Sequence, residues 1–359
     1  MSKINIIVLQ ANLKNYRTIL FNSLCEEYNL NVVSFLNDSK LPFKFSYDLL
    51  PHKKFLFLKY NFDLHKIIQK KQKDVVVVPD HFEWISFLLI GLLPRKYPIL
   101  WFGFTLSKRN FWHQIFKSRI FKFILKNNQN DQLLFYDYVT ARESIKKIGF
   151  GVRSHVLNNT FIRKKVNDKV SNIKRNFIIN IGSLNKRKGN HELIMAFYAV
   201  INKIPKDIKL VIVGDGQEAD RLKILITKLN LESRVFLKKG TYDNLKIRNY
   251  YSRSLASISL NQAGLSILQS FSYKVPFITK SNSVSGGEIS NIYHGFNGFL
   301  IGDNRKEIED IIIFVAKNPQ KMNQMGINAL NTYKLLASEK TFKESFDCAI
   351  KSSLGSKLI

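Results

Sequence analysis

The sequence predicts an α/β protein with two domains, each built on a mostly parallel sheet. Its 359 residues are enough for about two domains of roughly 150 residues each. Short β-branched and apolar runs alternate with longer helical segments, which is the pattern of buried parallel strands and the helices that cover them. A polar, charged stretch at 163–169 interrupts this alternation, which then starts again. We therefore expect a linker there.

The individual elements follow from these runs. In the first half the predicted strands are 4–9, 30–35, 74–79, 98–101 and 132–136, and the predicted helices are 16–28, 84–93 and 111–126. In the second half the predicted strands are 176–182, 209–214 and 234–237, and the predicted helices are 191–202 and 219–229. Two α/β halves of similar size indicate a cleft enzyme that binds its ligands at the carboxyl ends of the strands.

The composition is that of an ordinary globular protein. Hydrophobic residues make up 45% and charged residues 23%, which excludes a disordered or fibrous chain. The two cysteines, Cys25 and Cys348, lie at opposite ends of the sequence, and no Cys/His cluster has zinc spacing. Neither a disulfide scaffold nor a structural zinc site is expected, and a reducing cytoplasm fits this cysteine usage.

The charge balance is strongly basic. The formal net charge is +29, from 56 Lys and Arg against 27 Asp and Glu, and the excess is spread over both halves. Such a field favours anionic partners: nucleic acid, acidic lipid surfaces or phosphorylated substrates. The alternative is a set of generic solvated lysines.

No segment of the sequence predicts a secretory signal or a membrane span. The longest apolar run, 85–94, has about ten residues, whereas a spanning helix needs about 20. We expect a soluble or peripheral protein.

A glycine turn with basic residues, GSLNKRKG at 182–189, follows a predicted strand and opens a helix. Backbone N–H groups at such a turn can bind an anion, and Arg187 and Lys188 can add charge. An ordinary strand–helix connection with surface lysines is the alternative. A second strand ends in VGDG at 213–216, where Asp215 is expected to be a turn residue rather than a catalyst.

A third motif spans 261–279, with the sequence NQAGLSILQSFSYKVPFIT. The turn at Gly264 lets the backbone approach a ligand, and the helix start that follows favours negative charge. Two further turns follow, SGGEI at 285–289 and NGFLI at 297–301. Glu288 could either orient the site or cap a helix, and the Asn297-Gly298 step predicts a hairpin.

These motifs together resemble those of the family 4 glycosyltransferases, retaining enzymes of the GT-B fold. The resemblance covers most of the chain and is most specific from 177 to 300. It implies two Rossmann-like domains with parallel sheets facing an inter-domain cleft. The chain departs from the family at three positions: Ser183 replaces an Arg, and Asn261 and Gln269 replace both carboxylates of the Glu-x7-Glu motif.

The resemblance implies a nucleotide-sugar donor site in the second half. The expected donor-binding residues are Gly182, Ser183, Arg187, Lys188, Gly264, Leu265, Ser266 and Gln269. Lys188, Asn261 and Glu288 are expected at the reacting sugar. Amides in place of carboxylates still hydrogen-bond hydroxyl groups, but without the added charge. Neither a metal nor a cofactor is expected, because Lys188 and helix N-termini can stabilise the leaving diphosphate.

The resemblance also implies the domain roles. Residues 1–165 would form the acceptor-binding domain, 170–338 the donor-binding domain, and 339–359 a C-terminal helix and tail that packs back on the first domain. Asn12, Tyr16 and Arg17 follow the first strand and are expected to contact the acceptor, although Tyr16 and Arg17 could simply begin a helix. No histidine occupies the strand end at 101–105, where many family members place one.

The helix at 111–126 has an amphipathic pattern of its own. At 100° per residue, Trp112, Phe116, Ile120, Phe123 and Ile124 fall on one arc, and three basic residues, Arg119, Lys122 and Lys126, fall on the next. This pattern suits an anionic membrane surface. A core helix with a solvated basic edge is the alternative.

The sequence as a whole predicts a glycosyltransferase acting on a glycan or lipid-linked glycan acceptor. The family analogy places it in bacterial surface polysaccharide biosynthesis (O-antigen, lipopolysaccharide or capsule), in the cytoplasm, at the inner face of the membrane. A catalytically inactive GT-B partner protein and a basic nucleic-acid-binding protein are the alternatives. No nucleic-acid motif is present, so nucleic acid is not the expected partner.

Overall fold

The structure is a computed structural model that describes residues 3–81, 83–106, 111–149, 151–163 and 173–355, with side chains of the helix at 111–127 described from 114 onward. It divides into two compact units: residues 1–158 with 339–359, and residues 159–338. Each unit is an α/β domain with one parallel sheet, as the sequence predicts.

The first unit contains a seven-stranded sheet, a small hairpin and six helices within its described residues. Its strands are β1 (Asn5–Gln10), β2 (Asn29–Ser34), β3 (Ser46–Leu49), β4 (Lys53–Phe55), β5 (Leu58–Tyr60), β6 (Val75–Pro79), β7 (Ile99–Phe102), β8 (Gln132–Phe135) and β9 (Ser154–Val156). Its helices are α1 (Asn15–Leu24), α2 (Leu64–Lys70), α3 (Ile85–Leu92), α4 (Phe111–Asn127), α5 (Tyr138–Ile148) and α12 (Glu339–Leu354).

The large sheet runs β3-β2-β1-β6-β7-β8-β9 with parallel pairing throughout. Its central strands are buried on both faces, which explains why β6 reads as an unbroken run of valines. One face packs against α2, α3, α4 and α5, whose apolar residues share a single core cluster with those of the sheet. The strand order reverses between β1 and β6, where ligands bind in open α/β sheets.

Helix α12 packs within the first unit although it lies at the far end of the chain. Phe346 lies edge-to-face against Tyr28, and the Tyr28 hydroxyl donates a hydrogen bond to Asp347 at 2.8 Å. Phe342 contacts the ring of Phe102 at the end of β7. These apolar contacts give α12 a buried face within the first unit.

The second unit is a six-stranded parallel sheet covered by helices. Its strands are β10 (Phe177–Ile181), β11 (Lys209–Val213), β12 (Val235–Lys238), β13 (Ser254–Ile258), β14 (Phe277–Lys280) and β15 (Gly298–Ile301), in the order β12-β11-β10-β13-β14-β15. Its helices are α6 (Asn190–Val200), α7 (Ala219–Lys228), α8 (Asn244–Ser252), α9 (Ser266–Ser272), α10 (Arg305–Lys317) and α11 (Pro319–Leu336). Separate apolar clusters cover the sheet, and a Rossmann-type order results.

Two sequence-based expectations need comment. The prediction of a hairpin at Asn297-Gly298 was wrong, because β15 pairs in parallel with β14. The Asn297 side chain instead accepts a hydrogen bond from the Tyr293 N–H and donates one to the Asn291 carbonyl. An asparagine that satisfies nearby backbone groups mimics a turn without making a hairpin. The expected linker at 163–169 falls almost entirely outside the described residues.

Among the described residues, every helix is too short or too polar to cross a bilayer.

Candidate active site

The loops that follow β10 and β11 pack so closely that Gly214 and Gly216 leave no room for side chains. A Cβ added to Gly214 would lie 1.9 Å from the Gly182 carbonyl oxygen, and one added to Gly216 would lie 2.3 Å from the Leu184 carbonyl oxygen. The Leu184 N–H donates to the Asp215 carbonyl at 2.8 Å. The Asp215 carboxylate accepts from the Gly240 N–H at 3.1 Å, so Asp215 acts as a turn residue. These contacts fix the edge from which the basic turn projects.

The basic turn carries Lys188 into this edge. Residues Lys186–Lys188 form a single 3-10 turn, and Gly189 follows with a left-handed φ of 72°. The Lys188 ammonium is half-buried and donates to the Gln262 carbonyl at 3.2 Å, while Arg187 is exposed. Ser183, where the resembled family has arginine, is exposed and accepts a hydrogen bond from Asn185 at 2.9 Å.

The surroundings of Lys188 change the pKa of its ammonium group. Burial lowers the pKa of the Lys188 ammonium, the neighbouring Arg187 lowers it further, and Glu288 acts in the opposite direction. No carboxylate among the described residues lies within 4.0 Å of the Lys188 ammonium, so none forms an ion pair with it there. A partly desolvated cation without an ion-pair partner is suited to an anionic ligand.

Asn261 lies next to the basic turn because Gly189 has no side chain. A Cβ on Gly189 would lie 2.9 Å from Asn261 Nδ2 and 3.2 Å from Leu260 Cβ. The sequence separates these residues by more than 70 positions, and the parallel pairing of β10 with β13 brings them together. The structure therefore places Lys188 and Asn261 at one strand edge.

The segment from Gly264 to Gln269 opens α9. A Cβ on Gly264 would meet no atom within 4 Å, so open space lies beside this backbone. The Ser266 hydroxyl oxygen is buried and has no hydrogen-bond partner among the described residues. Leu265 precedes the helix, and Gln269 lies half-buried inside it, one turn along. The first N–H groups of a helix have no acceptor within it.

Glu288 is buried, with 5% of its surface exposed, and it holds a turn rather than standing free. Its carboxylate accepts from the Gly286 N–H at 3.0 Å, the Ser285 hydroxyl at 3.2 Å and Asn159 Nδ2 at 2.9 Å. These contacts fix the turn at 285–286 beside Glu288.

The expected acceptor residues lie at the carboxyl edge of the first unit's sheet. Arg17, in the first turn of α1, is only 8% exposed and donates from Nη2 to the Tyr136 hydroxyl at 2.6 Å. Its guanidinium lies 4.8 Å from the Phe102 ring centroid and 5.3 Å from that of Tyr16. Tyr16 is exposed, and Asn12 donates to Asp38 at 3.0 Å. Arg17 Nη1 is buried and has no acceptor among the described residues.

Sequence reasoning missed two contributors to the second unit's edge. Gln262 supplies a backbone carbonyl, which carries no sequence signal. Asn159 reaches Glu288 across 129 positions of sequence, and only the fold brings them together. Within the described residues, no group of three or more His, Cys, Asp or Glu side chains is placed to hold a metal ion.

Helix α4 differs from its predicted pattern. Ile124 is buried, together with Phe121, whereas Phe116 and Phe123 are 58% and 60% exposed. Arg119, Lys122 and Lys126 are exposed beside those two rings. The side chain of Trp112 lies outside the described residues. The rings of Phe116 and Phe123 thus lie on the solvent side with the basic residues, whereas Ile124 packs in the core.

Residues 161–332 match the family model of the glycosyl transferases group 1. The matched residues all fall within the second unit, which carries Lys188, Asn261 and Glu288.

Two curated relatives share part of this domain. The chain is 30% identical over 167 residues to the N-acetyl-alpha-D-glucosaminyl L-malate synthase of Bacillus anthracis, covering 45% of this chain and 42% of that protein. It is 45% identical over 65 residues to a Campylobacter jejuni 4-alpha-N-acetylgalactosaminyltransferase acting on a diphospho-undecaprenol-linked sugar, covering 18% of this chain and 17% of that protein. The chain thus spans less than half the length of these relatives.

Solved structures resemble the whole chain at low identity. A glycosyltransferase from Rickettsia africae has a TM-score of 0.72 at 14% identity and covers 99% of both chains. Anabaena HepE, crystallised with UDP and glucose, has a TM-score of 0.68 at 17% identity, with coverage of 97% of this chain and 99% of that one. WaaG, a lipopolysaccharide glycosyltransferase, has a TM-score of 0.63 at 12% identity over 96% and 98%. This likeness concerns the fold alone and confirms the predicted α/β GT-B class.

Proposed function

We propose that this chain is a glycosyltransferase that moves a hexose-type sugar from a nucleotide-diphosphate-sugar donor to a glycan or lipid-linked glycan acceptor. The observation that carries the proposal is Lys188, a half-buried cation with lowered pKa that no described carboxylate pairs with. It lies at the carboxyl end of a Rossmann-type sheet. The carbonyl that it contacts belongs to Gln262, two residues before the open turn at Gly264. Diphosphates bind at such edges.

The proposed reaction retains configuration and needs no metal. The bond between the anomeric carbon and the donor phosphate oxygen breaks, and a new bond forms from that carbon to the acceptor hydroxyl oxygen. The acceptor proton passes to the leaving diphosphate. Lys188 and Arg187 neutralise the negative charge that develops there, and the N–H groups of Leu265 and Ser266 donate to the same phosphates. Gly182 and Ser183 leave room beside Lys188, and Gln269 binds the ribose hydroxyls through its amide.

Asn261 and Glu288 have different proposed parts. Asn261 lies against Gly189 and faces the sugar with an amide, which can donate and accept hydrogen bonds to hydroxyl groups. Glu288 already accepts three protein hydrogen bonds, so we assign it to positioning: it fixes the Ser285–Gly286 turn and favours the charged form of Lys188.

The first unit is the proposed acceptor domain. Arg17 presents a guanidinium held by the Tyr136 hydroxyl and by two aromatic rings, at the edge where β1 and β7 end. Tyr16, which is exposed, and Asn12, which is half-buried, flank it. Arginine and tyrosine side chains on a rigid sheet edge are suited to hydrogen-bonding sugar hydroxyls or an anionic group of the acceptor.

Peripheral association with an anionic membrane is part of the same proposal. The exposed face of α4 combines Phe116 and Phe123 with Arg119, Lys122 and Lys126, and the chain carries a net charge of +29. Each basic residue near an anionic lipid surface adds about 1 kcal/mol of attraction. The names of the Campylobacter relative and of WaaG support a lipid-linked acceptor in surface polysaccharide assembly at the inner face of the membrane.

A thermal-shift screen against UDP, GDP, dTDP, CMP and their common sugar conjugates tests this function. A ligand at about 100 times its dissociation constant stabilises the fold by about 2.7 kcal/mol. We expect one nucleoside diphosphate to raise the melting temperature, and its sugar conjugate to be cleaved when acceptor is supplied. Binding without turnover for any donor would favour an inactive partner protein. No nucleotide shift, with steep salt-dependent affinity for DNA or RNA, would favour nucleic-acid binding.

A further inference from the structure

The hairpin formed by β4 and β5 carries an exposed apolar tip. The two strands pair antiparallel, with Lys54 opposite Lys59 and Phe55 opposite Leu58. Phe55, Leu56 and Phe57 are 67%, 72% and 72% exposed. No other run of three consecutive large apolar residues is exposed among the described residues. A cluster of this kind at a protrusion marks an interaction surface rather than scattered surface apolar residues.

The tip keeps a leucine where the backbone favours glycine. Leu56 is the first residue of the two-residue loop, and its φ is +53°. Two-residue hairpin loops with positive φ at this position are dominated by Gly, Asn and Asp, because a Cβ is strained there. The Leu56 side chain therefore neither favours the turn conformation nor packs in a core. Backbone strain of this kind is concentrated at functional segments.

Basic residues surround the tip. Lys53, Lys54 and Lys59 lie on the two strands, and from 51 to 73 the sequence contains seven lysines against a single acidic residue, Asp63. The Lys59 ammonium lies 3.7 Å from the Glu83 carboxylate and 5.3 Å from the Trp84 ring centroid, so it faces the protein, whereas Lys53 and Lys54 are exposed. Exposed Phe62 follows the hairpin. Apolar side chains ringed by lysines are complementary to an anionic lipid surface, where the rings enter the acyl boundary and the ammonium groups meet phosphates.

The hairpin is fastened to the layer that carries α4. The Lys59 N–H donates to the Glu83 carbonyl at 2.8 Å, just before α3, and Ser86 at the start of α3 accepts from the Asn61 N–H at 2.6 Å. Helices α3 and α4 contribute to one apolar core on the same face of the sheet. The hairpin tip and the aromatic, basic side of α4 therefore belong to one layer of the first unit.

We propose that the hairpin tip, residues Phe55 to Phe57, inserts into the headgroup–acyl boundary of an anionic bilayer, with the exposed Lys53 and Lys54 on the lipid phosphates. The tip is thus the apolar anchor of the membrane association proposed above, and it does not depend on glycosyl transfer. Its failure and the failure of the catalytic proposal are distinguishable, because nucleotide binding is measured on the second unit and lipid binding on the first.

Co-sedimentation of the full chain with vesicles tests the proposal. The vesicles are phosphatidylcholine alone, or phosphatidylcholine with about 30% phosphatidylglycerol. We expect binding only to the anionic vesicles, and a loss of about tenfold or more in affinity for F55S/F57S. The matched control, I224S/L245S, removes two comparably exposed apolar residues of the second unit and leaves affinity unchanged. Equal binding by F55S/F57S and wild type would overturn the proposal.

Leu56→Gly separates anchoring from folding. Glycine relieves the strained φ, so the variant is expected to melt at the same or a higher temperature and yet to bind anionic vesicles more weakly. A variant with a higher melting temperature and unchanged lipid binding would contradict the proposal.

The fluorescence of Phe57→Trp, taken as the difference from wild type with its three tryptophans, reports insertion. This fluorescence is expected to shift to the blue, and to be quenched by lipids brominated on the acyl chain, only with anionic vesicles. Concentration-dependent dimerisation without lipid, abolished by F55S/F57S and accompanied by no quenching, would assign the tip to a second copy of the chain and overturn the bilayer proposal.

Discussion

The two units build their carboxyl strand edges from different materials. In the second unit the edge is mainly backbone: Gly214 and Gly216 bring loops into contact where no Cβ fits, and Lys188 is a half-buried cation beside them. In the first unit the edge is made of side chains, with Arg17 held between Phe102, Tyr16 and Tyr136. Backbone groups suit a constant ligand such as a diphosphate. Side chains suit a ligand that varies between relatives, as an acceptor does.

The largest effect is expected for Gly214→Ala, which introduces a side chain into the backbone contacts of the second unit's edge. Gly214→Ala would place a Cβ 1.9 Å from the Gly182 carbonyl oxygen, so we expect a loss of about 3 kcal/mol or more in the free energy of unfolding, measured in urea. Gly264→Ala is the matched control, because its Cβ meets nothing within 4 Å. Its stability should stay within about 0.5 kcal/mol of wild type, while nucleotide affinity falls. Equal stability losses in the two variants would contradict the distinction.

Removing the charge at the same edge should leave the fold intact. We expect Lys188→Ala to lower turnover by a factor of about 100 or more, since it removes a cation from the leaving group. The melting temperature should change by only a few degrees, because the Lys188 ammonium makes one 3.2 Å contact to a carbonyl. Unchanged turnover would show that the diphosphate binds elsewhere.

A pH titration of nucleotide affinity tests the role of Lys188 at the edge of the second unit. The pKa of Lys188 is lowered by burial, so its positive charge is present below that pKa and is lost as pH rises through it. Nucleoside diphosphate affinity should therefore fall with rising pH at a pH below the usual lysine value of about 10.4. Lys188→Arg should remove this dependence, since a guanidinium stays charged. A flat profile for the wild type would contradict the assignment.

A smaller effect is expected in the first unit. Tyr136→Phe removes the hydroxyl that accepts from Arg17 at 2.6 Å and leaves a buried guanidinium less satisfied. We expect a loss of about 1–3 kcal/mol in the free energy of unfolding, with nucleotide affinity unchanged. A coupled loss of nucleotide binding would show that the two edges are not independent.

The smallest expected effect is a gain in nucleoside diphosphate affinity. Ser183 is exposed and its hydroxyl accepts only a local hydrogen bond, from Asn185, so Ser183→Arg adds a cation at the turn without removing a core contact. We expect a severalfold increase in nucleoside diphosphate affinity by calorimetry. A decrease would mean that the donor approaches the turn from another side.

The sequence predicted eight of the thirteen strands in the two large sheets, because buried strands such as β6 and β11 read as continuous apolar runs. It did not predict β3, β9, β13, β14 or β15. It missed the β4–β5 hairpin because three-residue strands of lysine, leucine and phenylalanine, with no glycine in the turn, show no alternation. At the site, the glycine turns and Lys188 could be found from local motifs. The contact of Asn159 with Glu288 and that of Gly189 with Asn261 depend on long-range packing, which no local pattern contains.

The central claim is that Lys188 marks a nucleoside diphosphate site in the second unit. Calorimetric titration of wild type, Lys188→Ala and Lys186→Ala with UDP, GDP and dTDP tests it most directly, because Lys186 is an exposed lysine of the same turn. We predict that one nucleoside diphosphate binds wild type and Lys186→Ala alike, and binds Lys188→Ala about tenfold or more weakly. Equal affinity for all three proteins, or no binding by any of them at low salt, would contradict the account.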